Sequence, residues 1–345
     1  MKGLMQDHPL LISSIFEHAI NNYPTQEIVS NSVEGGIHKY TYKDWGNRTK
    51  KLANALKEFG MLDGDRIGTL AWNGYRHLEL YYATSSSGLI CHTMNPRLHH
   101  DQLAYIVNHA NDKMIFVDLN IVELVKLAAP SFKSVKAIVV MTDNKNMINL
   151  KLPNGIEVLC YEDLISDKLD EFNWPDLDEK TASSLCYTSG TTGNPKGVLY
   201  THRSTVLHAY GINLKDAIPY GAKDVVMPVV PMFHVNAWGT PYAAAMCGTK
   251  FVFPGAKLDG ESLSDLMNQE KVTISLGVPT VWLLLLNHLR ESGKKLDTVQ
   301  RLIIGGSACP RTLFEGFGEE YNVDVIHAWG MTEISPIGTA NMPLY

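Results

Sequence analysis

Tyr187-Thr188-Ser189-Gly190-Thr191-Thr192-Gly193-Asn194-Pro195-Lys196-Gly197 is the stretch on which the reading of this chain turns. Three glycines, Gly190, Gly193 and Gly197, let a backbone turn tightly and approach a ligand closely. Such a loop can aim several backbone N–H groups at one anion. Thr188, Ser189, Thr191 and Thr192 add hydroxyls that can donate to phosphate oxygens, and one of them can ligate a metal ion. Lys196 adds a point positive charge, and Pro195 stiffens the backbone just before it. The common P-loop requires Gly-Lys followed by Ser or Thr, and this order does not supply it. A turn-rich surface loop has a similar composition. The complete order Thr-Ser-Gly-Thr-Thr-Gly-x-Pro-Lys-Gly is what argues for a phosphate cradle.

Outward from the loop, Ser183-Ser184-Leu185-Cys186 reads as the end of a buried strand, and Val198-Leu199-Tyr200 resumes regular structure. Upstream, an apolar period at Leu11–Ile20 predicts a helix ended by Tyr23-Pro24. Thr41 and Asp44 form a capping-box pattern ahead of the stripe Trp45, Leu52, Ala53, Leu56 and Phe59. Strands are expected at Arg66–Ala71, Leu89–His92, Lys113–Val117 and Val135–Met141, with helices at Leu78–Ser86, around Leu103–Ala110 and at Ile121–Ala128. Downstream, strands at Asp224–Val229, Thr249–Phe253, Val272–Leu276, Arg301–Ile304 and Asp324–His327 alternate with helices. Those helices are Glu261–Glu270, capped by Asp259, one opened by Pro279, and Arg311–Tyr321. This alternation predicts an α/β fold with mostly parallel sheets flanked by helices. The expected organisation is two α/β subdomains, residues 66–220 as the first and residues 10–60 with 221–345 as the second.

Composition narrows the function classes. The 345 residues carry a net charge of −6 with 45% hydrophobic and 19% charged residues, which is ordinary for a soluble globular protein and gives no electrostatic case for nucleic acid or anionic membrane. Five widely spaced cysteines read as free thiols in a reducing compartment. No transmembrane-length apolar run and no signal peptide is read, so the expected location is cytoplasmic.

Three further stretches fall at expected strand ends, where open α/β sheets place ligands. In Phe233-His234-Val235-Asn236-Ala237-Trp238-Gly239, a histidine and a tryptophan four apart could line a channel, or simply begin a helix with a core tryptophan. Gly305-Gly306-Ser307-Ala308-Cys309-Pro310 is a strand-to-helix turn, plain or shaped for a close negative group. In His327-Ala328-Trp329-Gly330-Met331-Thr332-Glu333, the indole offers a face to a purine, Thr332 a phosphate donor and Glu333 a hard oxygen for Mg2+.

Taken together these stretches resemble the adenylate-forming superfamily, which includes acyl-CoA synthetases, luciferases and peptide-synthetase adenylation domains. The resemblance implies that the glycine–hydroxyl loop (Thr188, Ser189, Gly190, Thr191, Thr192, Gly193, Lys196) handles the β- and γ-phosphates of ATP. It implies that His327, Ala328, Trp329, Gly330, Met331 and Thr332, with Gly306, Ser307 and Ala308, form the adenine and α-phosphate site. By the same resemblance His234, Val235, Trp238, Gly305 and Gly306 border the acyl group, with Trp238 as a tunnel gate. Lys196, His234, Thr332 and Glu333 are the implied catalytic set, and Thr188 and Glu333 the implied Mg2+ ligands. Trp329 stands where tyrosine is usual, and His327 where glutamine is frequent. The Phe-His-Val-Asn-Ala-Trp string, the Gly-Gly-Ser-Ala turn and Pro279–Trp282 resemble medium- or long-chain fatty acyl-CoA synthetases. A methylthiopropionate-CoA ligase shares much of that pattern. The implied substrates are a carboxylic acid, ATP and CoA, and similar enzymes suggest a homodimer.

Family members also carry a barrel subdomain and a mobile C-terminal domain with a catalytic lysine. The expectation is therefore of a large N-terminal domain that lacks the barrel, binds nucleotide weakly and does not form acyl-AMP at useful rates by itself. Two other readings stay open. One is a non-catalytic nucleotide-binding protein, the other a carrier-protein-loading adenylation domain.

Overall fold

A computed structural model of the chain describes residues 1, 3–188 and 194–341. Its strands are β1 Glu27–Asn31, β2 Ile37–Thr41, β3 Arg66–Leu70, β4 Ile90–Thr93, β5 Asp112–Asp118, β6 Ala137–Met141, β7 Glu157–Cys160 and β8 Ala182–Thr188. They continue with β9 Lys196–Thr201, β10 Val225–Pro228, β11 Lys250–Phe253, β12 Ile274–Gly277, β13 Arg301–Ile304, β14 Asp324–Gly330 and β15 Ile337–Asn341. Seven strands form one sheet in the order β7-β6-β5-β3-β4-β8-β9, and eight form another in the order β15-β14-β13-β12-β10-β11-β1-β2. Pairing is parallel except at β1–β2, β8–β9 and β14–β15. Neither sheet closes into a barrel among the described residues.

Local sequence explains many element starts. Thr41 caps the helix Tyr42–Glu58, its hydroxyl accepting from the Asp44 N–H at 3.2 Å while Asp44 accepts from the Thr41 N–H at 3.0 Å. Asp259 caps Gly260–Glu270, and Pro279 opens Pro279–Ser292. The expected helix Arg311–Tyr321 is instead an α-helix at Arg311–Glu315 followed by a π-helical turn at Gly316–Glu320. Sequence reading passed over β1, β2, β7 and β15, and it began one helix at Leu78 that begins at Tyr75.

That helix, Tyr75–Ser86, is the element between the sheets, and all 12 of its residues are buried. Leu78, Tyr81 and Tyr82 pack with Val226, Phe251 and Ile274 of the eight-stranded sheet, while Leu80 and Ala83 pack with Ile67, Phe116 and Val139 of the other. Buried polar groups on it need partners. Glu79, fully buried, accepts from Arg48 at 2.8 Å, from Tyr40 at 3.1 Å and from Tyr161 at 2.5 Å. Arg76 bonds Glu34 at 2.6 Å and Glu162 at 2.8 Å. The helix thus fixes the two sheets against each other by packing and by largely buried ion pairs.

All five cysteines are free. Among the described residues, no helix is long and apolar enough to cross a membrane.

Candidate active site

The two arms of the glycine–hydroxyl loop are β8 and β9, an antiparallel pair at the edge of the seven-stranded sheet. Thr188 lies opposite Lys196, and Tyr187 opposite Gly197. Gly197 sits close against its neighbours: a Cβ there would meet the Leu185 end methyl at 2.9 Å and the Tyr187 ring at 3.3 Å. Lys196 is exposed at the loop's foot. Ser189, Gly190, Thr191, Thr192 and Gly193 lie outside the described residues. Tyr187 is braced from the side: its hydroxyl bonds His109 Nδ1 at 2.6 Å, and its ring lies 5.1 Å from that of buried His92.

The acid-side stretch is neither a helix start nor a simple core segment. His234 is extended at φ −127°, and then Val235, Asn236, Ala237 and Trp238 take φ values of 41°, 54°, 47° and 56°, followed by Gly239 at 78°. Four consecutive residues with side chains thus follow a left-handed turn, a conformation costing roughly 1–2 kcal/mol per residue. The turn leaves His234 exposed and buries Trp238, which packs on Gly305. A Cβ on Gly305 would approach the Trp238 indole to 3.0 Å and the Ala328 carbonyl oxygen to 2.8 Å. Although the residue as a whole is exposed, crowding around its ring lowers the pKa of His234 and favours the neutral imidazole.

The facing wall is the end of β14 and the turn after it. Trp329 is more than half exposed, so it is not a core tryptophan, and its ring rests over Gly338. Thr332–Ile334 forms a short 3₁₀ turn from which Glu333 projects to solvent. Among the described residues no basic side chain pairs with Glu333, so its carboxylate is available to a cation.

One cavity of about 160 Å³ joins these walls. His234, Val235 and Trp238 line it on the acid side, Gly305 and Gly306 at its floor, and Ala328, Trp329, Gly330, Met331 and Thr332 opposite. Ser307 and Ala308 are exposed outside that lining, His327 lies deeper along β14, and Glu333, Thr188 and Lys196 are not among the lining residues. The glycines, rather than the N-terminus of the short helix at Arg311, shape the floor. Sequence reading missed Pro336 and Ile337, which complete the lining. Ile337 also borders a second cavity of about 430 Å³. It is held by His208, whose Nε2 accepts from the Ile337 N–H at 3.0 Å. Burial pushes His208 down to about 4, so the ring stays a neutral acceptor.

The fold is a mostly parallel two-sheet α/β body with this cavity at its strand ends. The family model for AMP-binding enzymes matches residues 16–345, and the chain belongs to that family. It is 49% identical over 344 residues to a 3-methylmercaptopropionyl-CoA ligase of Ruegeria lacuscaerulensis, covering 100% of this chain and 63% of that protein. It is also 49% identical over 344 residues to a medium-chain-fatty-acid–CoA ligase of Ectopseudomonas oleovorans, covering 100% of this chain and 62% of that protein. The chain therefore spans less than two thirds of the length of these relatives. Among solved structures, an anthranilate CoA ligase in complex with anthranoyl-AMP matches with a TM-score of 0.87 at 22% identity, over 98% of this chain and 64% of that one. At that identity the match speaks for the fold.

Proposed function

We propose that this chain carries the acid- and nucleotide-binding site of an AMP-forming acid–thiol ligase acting on medium- or long-chain fatty acids. The observation that carries the reading is the single cavity walled by His234 and Trp238 on one side and by Trp329–Thr332 on the other. The His234–Trp238 turn and the exposed Trp329 indole face share that one small volume. The glycine–hydroxyl loop and Lys196 would hold the β- and γ-phosphates, and Trp329, with Gly306, Ser307, Ala308 and His327 nearby, the base.

In the first half-reaction a carboxylate oxygen, admitted beside His234, attacks the α-phosphorus of ATP. The bond from the α-phosphorus to the bridging oxygen breaks, and pyrophosphate leaves. Neutral His234 and Thr332 orient the two reacting groups, and no protein nucleophile is needed because alignment carries the step. Glu333, with the Thr188 hydroxyl, would hold Mg2+, which neutralises phosphate charge when bound. In the second half-reaction the CoA thiol, losing its proton, attacks the acyl carbonyl and AMP departs.

The second cavity supports an alkyl chain as the acid's tail. It adjoins the first at Ile337 and is walled by Leu207, Ile212, Ile218 and Ile334. A short acid such as 3-methylmercaptopropionate is the second reading, favoured by the small volume of the first cavity and by the relative that carries that name. We also assign residues 66–220 and 10–60 with 221–345 to two lobes, since each sheet draws its strands from one of those spans.

Thioesterification by the full-length protein, with ATP, Mg2+, CoA and straight-chain acids of three to sixteen carbons, tests the reading. Rising kcat/KM from short to medium chains supports it. A maximum at the three-carbon sulfur acid selects the second reading. No acid-dependent release of AMP removes both.

A further inference from the structure

A left-handed turn of four residues with side chains persists only where its surroundings over-determine it. Here the surroundings converge on one side chain. Asn236, the second residue of the turn, is 2% exposed and lines neither cavity. Its Nδ2 donates to Ser184 Oγ at 2.9 Å. Its Oδ1 accepts from the Tyr81 hydroxyl at 3.4 Å and lies 3.5 Å from Cys186 Sγ. Ser184 and Cys186 belong to β8, which runs on to Thr188 at the foot of the phosphate loop, and Tyr81 belongs to the helix between the sheets. Tyr81 also donates to the Met232 carbonyl oxygen, so it braces the entry to the turn.

We propose that Asn236 is a positioning residue: its carboxamide clamps the left-handed turn to β8 and so sets His234 and Trp238 against the cavity. The inference rests on the acid–thiol ligase reading for its kinetic consequence, though not for its structural one. Removing both ends of a buried donor–acceptor set from a strained turn lets the turn relax toward extended or right-handed backbone. His234 and Trp238 then lose their fixed places, and the acid loses its wall. Thr188 and Lys196 stay paired across the hairpin, so the phosphate side is spared.

A simpler role competes with this one. Asparagine tolerates left-handed backbone better than most residues, so it could be present for its φ alone. Glycine separates the two, because it adopts that φ freely and carries no amide.

The test uses the full-length protein and the variants N236G, N236A, S184A and S184A/N236G. Kinetics give KM for the acid and for MgATP. 19F spectra of protein labelled with 5-fluorotryptophan, with the Trp238 resonance assigned by W238F, report the turn without turnover. The expected result is a rise of about 10-fold in acid KM for both N236G and N236A, MgATP KM within about threefold, and a displaced Trp238 resonance. S184A, a milder change in case the others fold poorly, shows part of that effect, and the double variant is no worse than N236G. Wild-type acid KM and an unmoved Trp238 resonance in N236G overturn the proposal. So does an equal rise in both KM values with that resonance unmoved. If the unaltered protein shows no acid-dependent turnover, the ligase reading fails, while the 19F comparison still decides whether Asn236 holds the turn.

Discussion

The Tyr200 hydroxyl donates to the main-chain carbonyl of Thr332 at 2.5 Å, across 132 residues of sequence. This bond ties β9, the strand that begins with Lys196, to the turn that carries Thr332 and Glu333. Tyr200 is buried, and burial with the nearby Glu333 charge holds its phenol protonated, so it remains a donor. Lys196 starts the same strand about 13 Å away, four residues at the usual rise. The strand that begins at Lys196 and the Thr332–Glu333 turn therefore share one framework. Y200F removes this tie and little else. A net hydrogen bond of about 1 kcal/mol predicts a three- to tenfold rise in KM for MgATP, with acid KM little changed. Steady-state kinetics with each substrate varied in turn decide it.

Gly330 is fixed by crowding rather than by dihedral freedom. A Cβ there would fall 2.3 Å from the Pro336 carbonyl oxygen and 3.0 Å from its carbon. Backbone cannot give way as a flexible side chain can. G330A therefore pushes the Met331–Pro336 turn outward, breaking the Met331 N–H to Pro336 bond of 2.9 Å. The expected cost is about 1–3 kcal/mol of stability, with a more than tenfold loss in kcat/KM for MgATP. Thermal unfolding and the same kinetic assay measure the two effects separately.

His38, His77, His202 and His208 are each pushed down to about 4, chiefly by burial. In the unfolded chain they titrate near 6.5. As pH falls from 7 toward 4 the unfolded chain binds protons that the folded one refuses, so stability falls with pH. Between pH 7 and 5 each such histidine removes about 2 kcal/mol. Asp118, raised to about 7 by burial, works in the opposite sense and offsets roughly one of them. Midpoints from denaturant unfolding should drop steadily over that range. H202Q, whose amide oxygen can still accept from the Ile12 N–H now bonded to His202 Nδ1 at 3.2 Å, should show a shallower decline. An unchanged slope in that variant counts against the assignment.

His92 and Asp112, both fully buried, bond at 2.8 Å in the layer beneath Tyr187. Asp112 reaches across β3 at Gly68, where a Cβ would crowd its carboxylate to 3.4 Å and Met94 to 2.7 Å. D112A leaves the buried imidazole without this partner and should cost about 1–3 kcal/mol in urea unfolding. D112N retains a polar partner for His92 Nδ1 and should cost less than half as much. Equal losses in the two variants would show that packing, not the polar pair, sets the stability.

Much of the fold could be read locally. The Thr41–Asp44 capping box, the Asp259 cap and Pro279 all stand at the helix starts where they were expected, because such signals act within one turn of backbone. The helix Tyr75–Ser86 was read short because Arg76 and His77 look solvated until Glu34, Glu162 and Thr69 are brought to them. The left-handed turn was missed for the same reason. Asn236 and Gly239 tolerate positive φ and gave a faint hint, but Ser184, which holds the turn, is 52 residues away. Pro336 and Ile337 gave no local hint, since their place at the cavity follows from the antiparallel return of β15 along β14.

By itself the sequence determined what short-range chemistry determines: the α/β alternation, the order of the glycine–hydroxyl loop, and the closeness of Trp329, Thr332 and Glu333 along one strand end and the turn after it. Only the tertiary structure decided that Trp238 faces Gly305 and that Tyr200 meets Thr332. It alone decided that His234 and Trp329 open on one cavity. Those relationships depend on which strands lie side by side and on buried polar groups finding partners across the chain, and no local pattern encodes such distances.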